Sequence, residues 1–223
     1  MSDLTPHHPQ EPRWRRMPEE RPRQILDAAI EVFGERGLAG ARLEDIARRA
    51  GVSKGTIYLY FPSKEELFRT MVRQTIVAAL EEAERCVGRG SATDELRGYM
   101  RGYWDLARSP EFSTIYRLVI GELHDFPDLA SFYSEEVIAR AVRLISGIIE
   151  RGIAAGEIRP VDPRVAARML ASMLSSQGLW CSRRRFFPHM SDKSDDQVLS
   201  EIIDFYLSAL RPIPGPTGPE HHA

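Results

Sequence analysis

Hydrogen-bond donors are concentrated in the stretch 53–64, which reads SKGTIYLYFPSK. Hydroxyl and ammonium groups of this kind can donate to phosphate oxygens, and a lysine can also donate to the O6 and N7 atoms of guanine. No carboxylate occurs between Ile46 and Lys64, and Arg48 and Arg49 add two cations to this segment. The local charge therefore favours a polyanionic partner, although the whole chain has a net charge of −2.

Two short helices are predicted to position these donors. Apolar residues first recur every three or four positions and form one stripe: Leu43, Ile46, Ala47 and Ala50. Gly51 is expected to end that helix, because a glycine just past the last periodic residue can take the left-handed conformation. Ser53 then caps a second helix over 54–60 through its side-chain oxygen. Two short helices joined by Ala-Gly-Val-Ser form a helix-turn-helix pattern.

The fixed residues of this stretch resemble the DNA-binding domain of the TetR family of bacterial transcriptional regulators. The family run Ile-Ala-x-x-Ala-Gly-Val-Ser-x-Gly-Thr-x-Tyr-x-Tyr-Phe-x-Ser-Lys-x-x-Leu is present at these positions: Ile46, Ala47, Ala50, Gly51, Val52, Ser53, Gly55, Thr56, Tyr58, Tyr60, Phe61, Ser63, Lys64 and Leu67. So many fixed residues at fixed spacing make the motif specific, and the resemblance covers about 23–68. It implies a homodimeric regulator that releases its operator when a small molecule binds.

Nine residues are predicted to contact double-stranded DNA: Arg42, Ser53, Lys54, Gly55, Thr56, Tyr58, Leu59, Tyr60 and Lys64. The second helix of such a motif places its N-terminal residues at base edges in the major groove, so Lys54 is assigned to guanine. Gly55 allows a close approach, and Thr56 and Leu59 suit a thymine methyl group. The hydroxyls and Lys64 suit phosphate oxygens. The alternatives are a core position for Tyr58 and a solvated charge for Lys54.

Ala41 departs from the family pattern, which usually has Thr or Ser at this position. A side-chain cap worth about 1 kcal/mol and a hydroxyl contact to phosphate are therefore absent. Glu44 is expected to keep the other half of a capping box, and Arg42 to supply a charged phosphate contact instead. The fold is expected to be unaffected.

The whole chain is predicted to be all-α, because no stretch alternates with a period of two over the length of a strand. Four regions are expected: a disordered basic arm at 1–18, a three-helix helix-turn-helix domain at 19–68, a larger helical regulatory, ligand-binding and dimerisation domain at 69–211, and a disordered tail at 212–223. A long helix from Ser63 to about Val87 joins the two domains. The basic cluster Arg13, Trp14, Arg15 and Arg16 either follows the minor groove or belongs to a solvated tail.

A homodimer is predicted because a single helix-turn-helix makes few base contacts, and a symmetric pair would fit a palindrome. The last two helices carry more apolar surface than one core-facing stripe needs. An intermolecular four-helix bundle is therefore expected there, built from Met169, Leu170, Met173, Val198, Ile202, Phe205 and Tyr206. The alternative is that both stripes pack within one chain.

The middle helices are rich in aromatic residues and predict a cavity for a small hydrophobic or aromatic effector. The expected lining is Tyr103, Trp104, Phe112, Tyr116, His124, Phe132, Met173, Gln177 and Trp180. The alternative for each of these residues is that it fills the core. Loss of DNA binding on occupation of such a cavity would correspond to a coupling of about 1 to 3 kcal/mol.

Other classes of protein lack support in the sequence. No nucleophile elbow, phosphate loop, His-Glu-x-x-His or Cys-x-x-Cys motif occurs, so an enzyme is not expected. Cys86 and Cys181 are isolated, and His124 with Asp125 and Asp128 is taken as a polar cluster rather than a metal site. Neither a cofactor nor a membrane span is expected, and the location is predicted to be cytoplasmic. A ligand-independent architectural DNA binder and a transcriptional activator remain alternatives to a ligand-responsive repressor.

Overall fold

Helices are the regular secondary structure of the computed structural model, which describes residues 20–182 and 192–212. The all-α prediction is confirmed for these ranges. The basic arm predicted at 1–18 and the tail from residue 213 onward lie outside the described residues. The division into two domains at about residue 68 stays a prediction.

The first three helices form a small unit with its own core. They are α1 (Glu20–Gly40), α2 (Leu43–Arg49) and α3 (Lys54–Tyr60). Fully buried side chains come from all three: Ile25, Phe33 and Leu38 of α1, Ile46 of α2 and Ile57 of α3. Gly37 (φ 73°) interrupts α1, and Gly51 (φ 67°) follows α2. Both glycines have a positive φ, as predicted for Gly51, and this conformation disfavours any side chain.

A long helix leads away from this unit. It comprises α4 (Lys64–Val72), a π-helical turn (Arg73–Val77) and α5 (Ala78–Arg85). The Ser63 side chain accepts a hydrogen bond from the Glu66 amide at 3.2 Å and starts the helix as predicted. The sequence predicts an uninterrupted helix here and does not predict the π-helical turn. One extra residue in a single turn leaves the apolar periodicity on either side intact, so the pattern gives no sign of it.

Six further helices complete the described part of the chain. They are α6 (Ala92–Ala107), α7 (Pro110–Gly121), α8 (Pro127–Tyr133), α9 (Arg140–Ala154), α10 (Pro163–Ser182) and α11 (Asp195–Leu210). A second π-helical turn (Ser134–Ala139) joins α8 to α9, and a 3-10 turn (Leu123–Asp125) follows α7. Caps begin several of them: Ser91, Ser109, Asp162 and Ser194. Gly156 (φ 74°) follows the end of α9.

The last two helices pack within the chain, which corrects part of the predicted dimer interface. Leu170 is fully buried, and Ile202 and Tyr206 are each 6% exposed. The Tyr206 hydroxyl donates to the Ala166 carbonyl at 2.9 Å. These three residues have no surface to offer a partner, because their stripes close against α6 and the rest of the core. Met169 is 64% and Phe205 is 70% exposed, and Met173 and Val198 are half-buried.

The end of α1 is bonded to the end of α7 at a contact we call the junction. The Glu122 carboxylate accepts hydrogen bonds from the amides of Leu38 (2.8 Å) and Ala39 (3.0 Å). The Arg117 guanidinium donates to the Phe33 carbonyl at 2.9 Å. Glu122 thereby satisfies the two amides that follow the interruption of α1 at Gly37, and Arg117 adds a second link between the two helices. The junction therefore fixes the three-helix unit to the larger helical part.

Candidate nucleic-acid interface and ligand cavity

The N-terminal turn of α3 is held by Ser53 and presents its neighbours to solvent. The Ser53 side-chain oxygen accepts from the Thr56 amide at 3.1 Å and lies 2.8 Å from the Thr56 hydroxyl. Lys54 and Gly55 are exposed beside it, and Leu59 is 81% exposed. Tyr58 is also exposed, so the structure excludes its alternative as a core residue. We call the exposed residues of α3, with Arg42 and Glu44 of the preceding segment, the reading surface.

Glu44 connects the two helices of the reading surface. Its carboxylate lies 2.7 Å from the Lys54 ammonium and accepts a hydrogen bond from the Tyr58 hydroxyl at 3.2 Å. The Lys54 ammonium also lies 5.8 Å from the centroid of the Tyr58 ring. The hydrogen bond and charge of Lys54 lower the pKa of Glu44 to about 2, and Glu44 in turn raises the pKa of Lys54. The pair therefore stays charged at any physiological pH.

Lys64 is turned toward the protein. Its ammonium donates to the carbonyls of Ala39 (3.0 Å) and Ala41 (3.4 Å), which follow the interruption of α1. It also lies 5.8 Å from the centroid of the Phe126 ring. Lys64 therefore holds the segment between α1 and α2, because its positive charge stabilises the carbonyls of Ala39 and Ala41 near the end of α1.

A cavity of about 510 Å³ lies between α5, α6 and α9. Its buried wall is apolar and includes Ile76 and Val137, one from each π-helical turn, with Leu80 and Ile148. Gly98 and Gly102 of α6 also line it, and a Cβ atom added at either position would meet nothing within 4 Å. The missing side chains thus keep one wall open. The volume lies within the usual range for small-molecule sites.

Tyrosine hydroxyls supply the polar groups at the buried wall. Tyr103 lines the cavity, and its hydroxyl lies 2.5 Å from the Ser175 hydroxyl of α10. Tyr99 lines it as well and is 9% exposed. Burial raises the pKa of Tyr103 to about 12 and raises that of Tyr99 further above its usual range. Both hydroxyls are therefore neutral hydrogen-bonding groups.

Family models match both parts of the chain. Residues 25–71 match the model of bacterial regulatory proteins of the tetR family. Residues 94–212, more than half of the chain, match the model of the AefR-like transcriptional repressor, C-terminal domain. The chain belongs to the TetR family. It is a DNA-binding transcriptional regulator, and its fold and reading surface agree with the resemblance stated from the sequence.

Known TetR-type regulators are similar to the chain over most of its length. The fatty acid metabolism regulator protein of Bacillus subtilis is 29% identical over 158 residues, which cover 69% of this chain and 80% of that protein. A TetR family transcriptional regulator from Pseudomonas syringae pv. tomato is 26% identical with a TM-score of 0.66, covering 88% and 100%. The crystal structure of FadR from Bacillus subtilis in complex with stearoyl-CoA has a TM-score of 0.71 at 23% identity, covering 85% and 99%. The last likeness concerns the fold alone.

Three cations of this TetR-type motif, Arg48, Arg49 and Lys54, are paired with carboxylates that precede it in the sequence. Arg49 binds Glu31 (2.6 Å) and Glu35 (2.9 Å) of α1, which raise its pKa. Arg48 binds Asp45 of its own helix. Because the stretch contains no carboxylate, the sequence predicted a free positive charge. The structure corrects this prediction, since Glu31 and Glu35 of α1 and Glu44 and Asp45 just before the stretch pair with its cations. Lys54 is paired in the same way with Glu44.

The start of α2 in this regulator lacks a side-chain cap, but the N-cap position is Arg42 and not Ala41, which is buried. Arg42 occupies the N-cap position without a capping hydrogen bond, and its exposed guanidinium makes no ion pair with the described residues. Glu44 does not complete a capping box, which corrects that expectation, because its carboxylate is bound to Lys54 and Tyr58. Tyr60 is half-buried against the core. Arg42 is thus the accessible cation next to α3.

Of the nine residues predicted for the effector site, only Tyr103 lines the cavity. Trp104 and Phe112 are buried in the core, and Tyr116 stacks on Phe112 at 5.7 Å between ring centroids. His124 projects from the 3-10 turn and is solvent-exposed. The others are Phe132, which lies under Arg69 and Arg73, and Met173, Gln177 and Trp180 of α10. Most of the predicted residues therefore lie outside this cavity, since aromatic content does not distinguish a cavity wall from a filled core.

The sequence interpretation did not consider the small residues that line the cavity. The lining includes Ala79, Ala83, Gly98, Gly102 and Ala141, which are spaced along three helices. Small side chains facing one another across packed helices leave space between them, but only the packing reveals that they face one another. No group of three His, Cys, Asp or Glu side chains that could hold a metal ion exists within residues 20–182 and 192–212. In the same ranges no helix is long and apolar enough to cross a membrane.

Proposed function

We propose that this TetR-family regulator is a repressor that binds a palindromic operator as a homodimer and leaves it when a small hydrophobic effector enters the cavity. One observation carries the proposal. The long helix that provides Ile76 and Leu80 to the cavity wall begins at Lys64, whose ammonium holds the segment before α2. A ligand that displaces this helix would therefore also displace the reading surface.

The reading surface suits sequence-specific contact with the major groove. Lys54 and Thr56 are assigned to base edges, and Gly55 to close approach. Arg42, Ser53 and Tyr58 are assigned to phosphates. Lys64 and Tyr60 act through the protein core instead, by holding the segment from which Arg42 projects.

The dimer is proposed to form on α10 and α11 through the apolar residues that the chain leaves accessible. Met169 and Phe205 are the large exposed side chains of these two helices. Met173 and Val198 are half-buried and lie on the same two helices. Two copies of this patch related by a two-fold axis would bury both exposed side chains and bring two reading surfaces to one duplex.

An apolar effector is supported by the composition of the cavity and by the related regulators. The wall is formed mainly by aliphatic side chains, and such walls favour apolar ligands. The similar B. subtilis regulator crystallised with stearoyl-CoA, a molecule with a long apolar chain. A ligand-independent architectural DNA binder would have no use for a cavity that adjoins the long helix.

Footprinting of DNA upstream of the regulator's own coding region tests this proposal. The wild-type protein should protect a palindrome, and one member of a panel of hydrophobic compounds should abolish the protection. Gly102→Leu should fill the cavity, keep operator affinity within twofold and remove the response to the compound. Arg101→Leu, on the exposed side of the same helix, is the matched control and should respond like the wild type. Protection that no compound alters, with Gly102→Leu equal to wild type, would contradict the effector role.

A further inference from the structure

The Tyr99 hydroxyl is a hydrogen-bond donor without a partner at the cavity wall. Tyr99 is 9% exposed, and its hydroxyl makes no hydrogen bond with the described residues. The neighbouring Tyr103, 6.4 Å away between ring centroids, has its hydroxyl satisfied by Ser175. A ligand that fills the cavity separates this hydroxyl from water, so a ligand that brings an acceptor to Tyr99 would recover a hydrogen bond.

The charges around the cavity disfavour an anion at its buried wall. The ionisable residues of the lining are Glu82, Arg89, Asp94 and Glu95, three carboxylates and one guanidinium, besides Cys86 and the two tyrosines. Arg89, Glu82 and Asp94 are exposed at the rim, and Glu95 is paired with Arg151 at 2.5 Å. Arg89 is thus the one cation among these lining residues, and it lies at the exposed rim together with two carboxylates. A carboxylate would lose its hydration at the buried wall without an opposite charge, which is strongly unfavourable.

The shape of the cavity suits an elongated molecule. Its lining follows the long helix from Ile76 to Val87, a distance of about 16 Å at the rise of a helix. Along this length the wall presents Ile76, Leu80 and Ala83, and Val137, Leu144 and Ile148 come from the opposite side. Every one of these side chains is apolar. An extended hydrocarbon can therefore be covered along its whole length.

We propose that the effector is an elongated, uncharged molecule with an apolar chain and one carbonyl oxygen, such as a ketone, ester or lactone, and that this oxygen accepts a hydrogen bond from the Tyr99 hydroxyl. This inference rests on the proposed effector function and names the ligand class of the same cavity. It separates this regulator from one that binds a free fatty acid by its carboxylate. It also predicts that an acyl-CoA head group, with its several negative charges, meets a rim with more carboxylates than cations.

Displacement of the neutral fluorescent probe N-phenyl-1-naphthylamine from the full-length protein tests the inference. Undecane, 2-undecanone, undecanoate and decanoyl-CoA are compared as competitors because their apolar chains are similar. Wild-type protein should bind 2-undecanone roughly tenfold more tightly than undecane, as one hydrogen bond allows. Undecanoate and decanoyl-CoA should bind more weakly than the ketone. Tyr99→Phe should remove the preference for the ketone and leave the affinity for undecane and for the probe unchanged.

Tyr133→Phe is the matched control. Tyr133 is 7% exposed, also has no hydrogen bond to the described residues and does not line the cavity. This variant should keep the tenfold preference for the ketone. A Tyr99→Phe protein with an undiminished ketone preference, or a wild-type protein that binds undecanoate as tightly as the ketone, would overturn the inference alone. Failure of the wild type to bind the probe or any competitor would instead overturn the effector function, and with it the inference.

Discussion

The reading surface and the ligand cavity are built from opposite kinds of sequence. The reading surface comes from one short stretch, with exposed donors on two small helices and a carboxylate that spans them. The cavity combines helices that are far apart in sequence, from Ile76 to Ile148, and depends on side chains that are small or missing, such as Gly98 and Gly102. Contact with a polyanion needs a few donors in a fixed local register, whereas a cavity depends on how distant helices pack.

The two regions also differ in how they satisfy polar groups. At the reading surface, Lys54 and Tyr58 share Glu44, so under the proposed function DNA would compete with a protein carboxylate for both donors. At the cavity, the Tyr99 hydroxyl has no competitor and is available to a ligand. The donors proposed to contact DNA are thus held by the protein, whereas the hydroxyl proposed to contact the ligand is not. The predictions below test this difference and the junction that connects the two regions.

The largest effect is expected from Gly37→Ala at the junction. Gly37 has φ 73° and ψ 177°, a conformation that is essentially restricted to glycine, and an added Cβ would overlap the Glu122 carboxylate. We expect a loss of about 3 kcal/mol in the free energy of unfolding, measured by urea denaturation. Gly51→Ala is the control, because Gly51 also has a positive φ but an added Cβ meets nothing within 4 Å. It should cost about 1 kcal/mol; equal losses would show that the contact with Glu122 adds nothing.

The next effect concerns the two lysines of the motif. Lys54→Ala should cost about 1 to 3 kcal/mol in operator binding and relax the preference at one base pair, because its ammonium is accessible beside α3. Lys64→Ala should instead lower the free energy of unfolding by about 1 kcal/mol, because the carbonyls of Ala39 and Ala41 lose a donor. Binding-site selection and urea denaturation of both variants separate these outcomes. If Lys64→Ala left the stability unchanged but lowered the affinity for every DNA sequence, Lys64 would contact phosphate, as the sequence predicted.

A smaller effect is expected from Glu122→Ala. The amides of Leu38 and Ala39 lose their acceptor, so the free energy of unfolding should fall by about 1 kcal/mol and these two amides should exchange faster with deuterium. Operator release by the effector should also need more ligand, because the larger helical part would hold the reading surface less firmly. Glu135→Ala, at an exposed position of the second π-helical turn, should match the wild type in all three measurements. Unchanged exchange at Leu38 would contradict the role of the junction.

The sequence predicted those features that depend on neighbours in the chain. The glycine end at Gly51, the cap at Ser53 and the helix start at Ser63 follow from local backbone chemistry, and the structure confirms them. The π-helical turns were not predicted, since a single inserted residue changes the register without changing the composition. The partner of Lys54 was also missed, although Glu44 lies only ten residues away, because Glu44 was assigned to a capping box.

The cavity and the dimer surface could not be located from the sequence because both depend on which apolar faces meet. Aromatic residues predicted a site near Phe112 and Trp180, but packing places Phe112 in the core and opens the cavity beside Gly98. Likewise the apolar stripes of α10 and α11 are satisfied within the chain at Leu170 and Ile202. Apolar periodicity shows that one face of a helix is buried. It does not show whether a helix of the same chain or a second subunit covers that face.

The smallest effect, and the closest test of the restrained reading surface, is expected from Glu44→Gln. Removing this carboxylate frees Lys54 and removes a negative charge that faces DNA, so affinity for a scrambled duplex should rise about twofold to fivefold. Lys54 lowers the pKa of Glu44 to about 2, so the carboxylate is charged above that value and is protonated only as the pH falls through it. The ratio of mutant to wild-type affinity, measured by fluorescence anisotropy, should therefore be the same at pH 7 and pH 5. The control variant Glu135→Gln should give a ratio of one at both pH values. A Glu44→Gln ratio that falls toward one at pH 5 would show that the Glu44 carboxylate titrates near its ordinary pKa and is not held by Lys54.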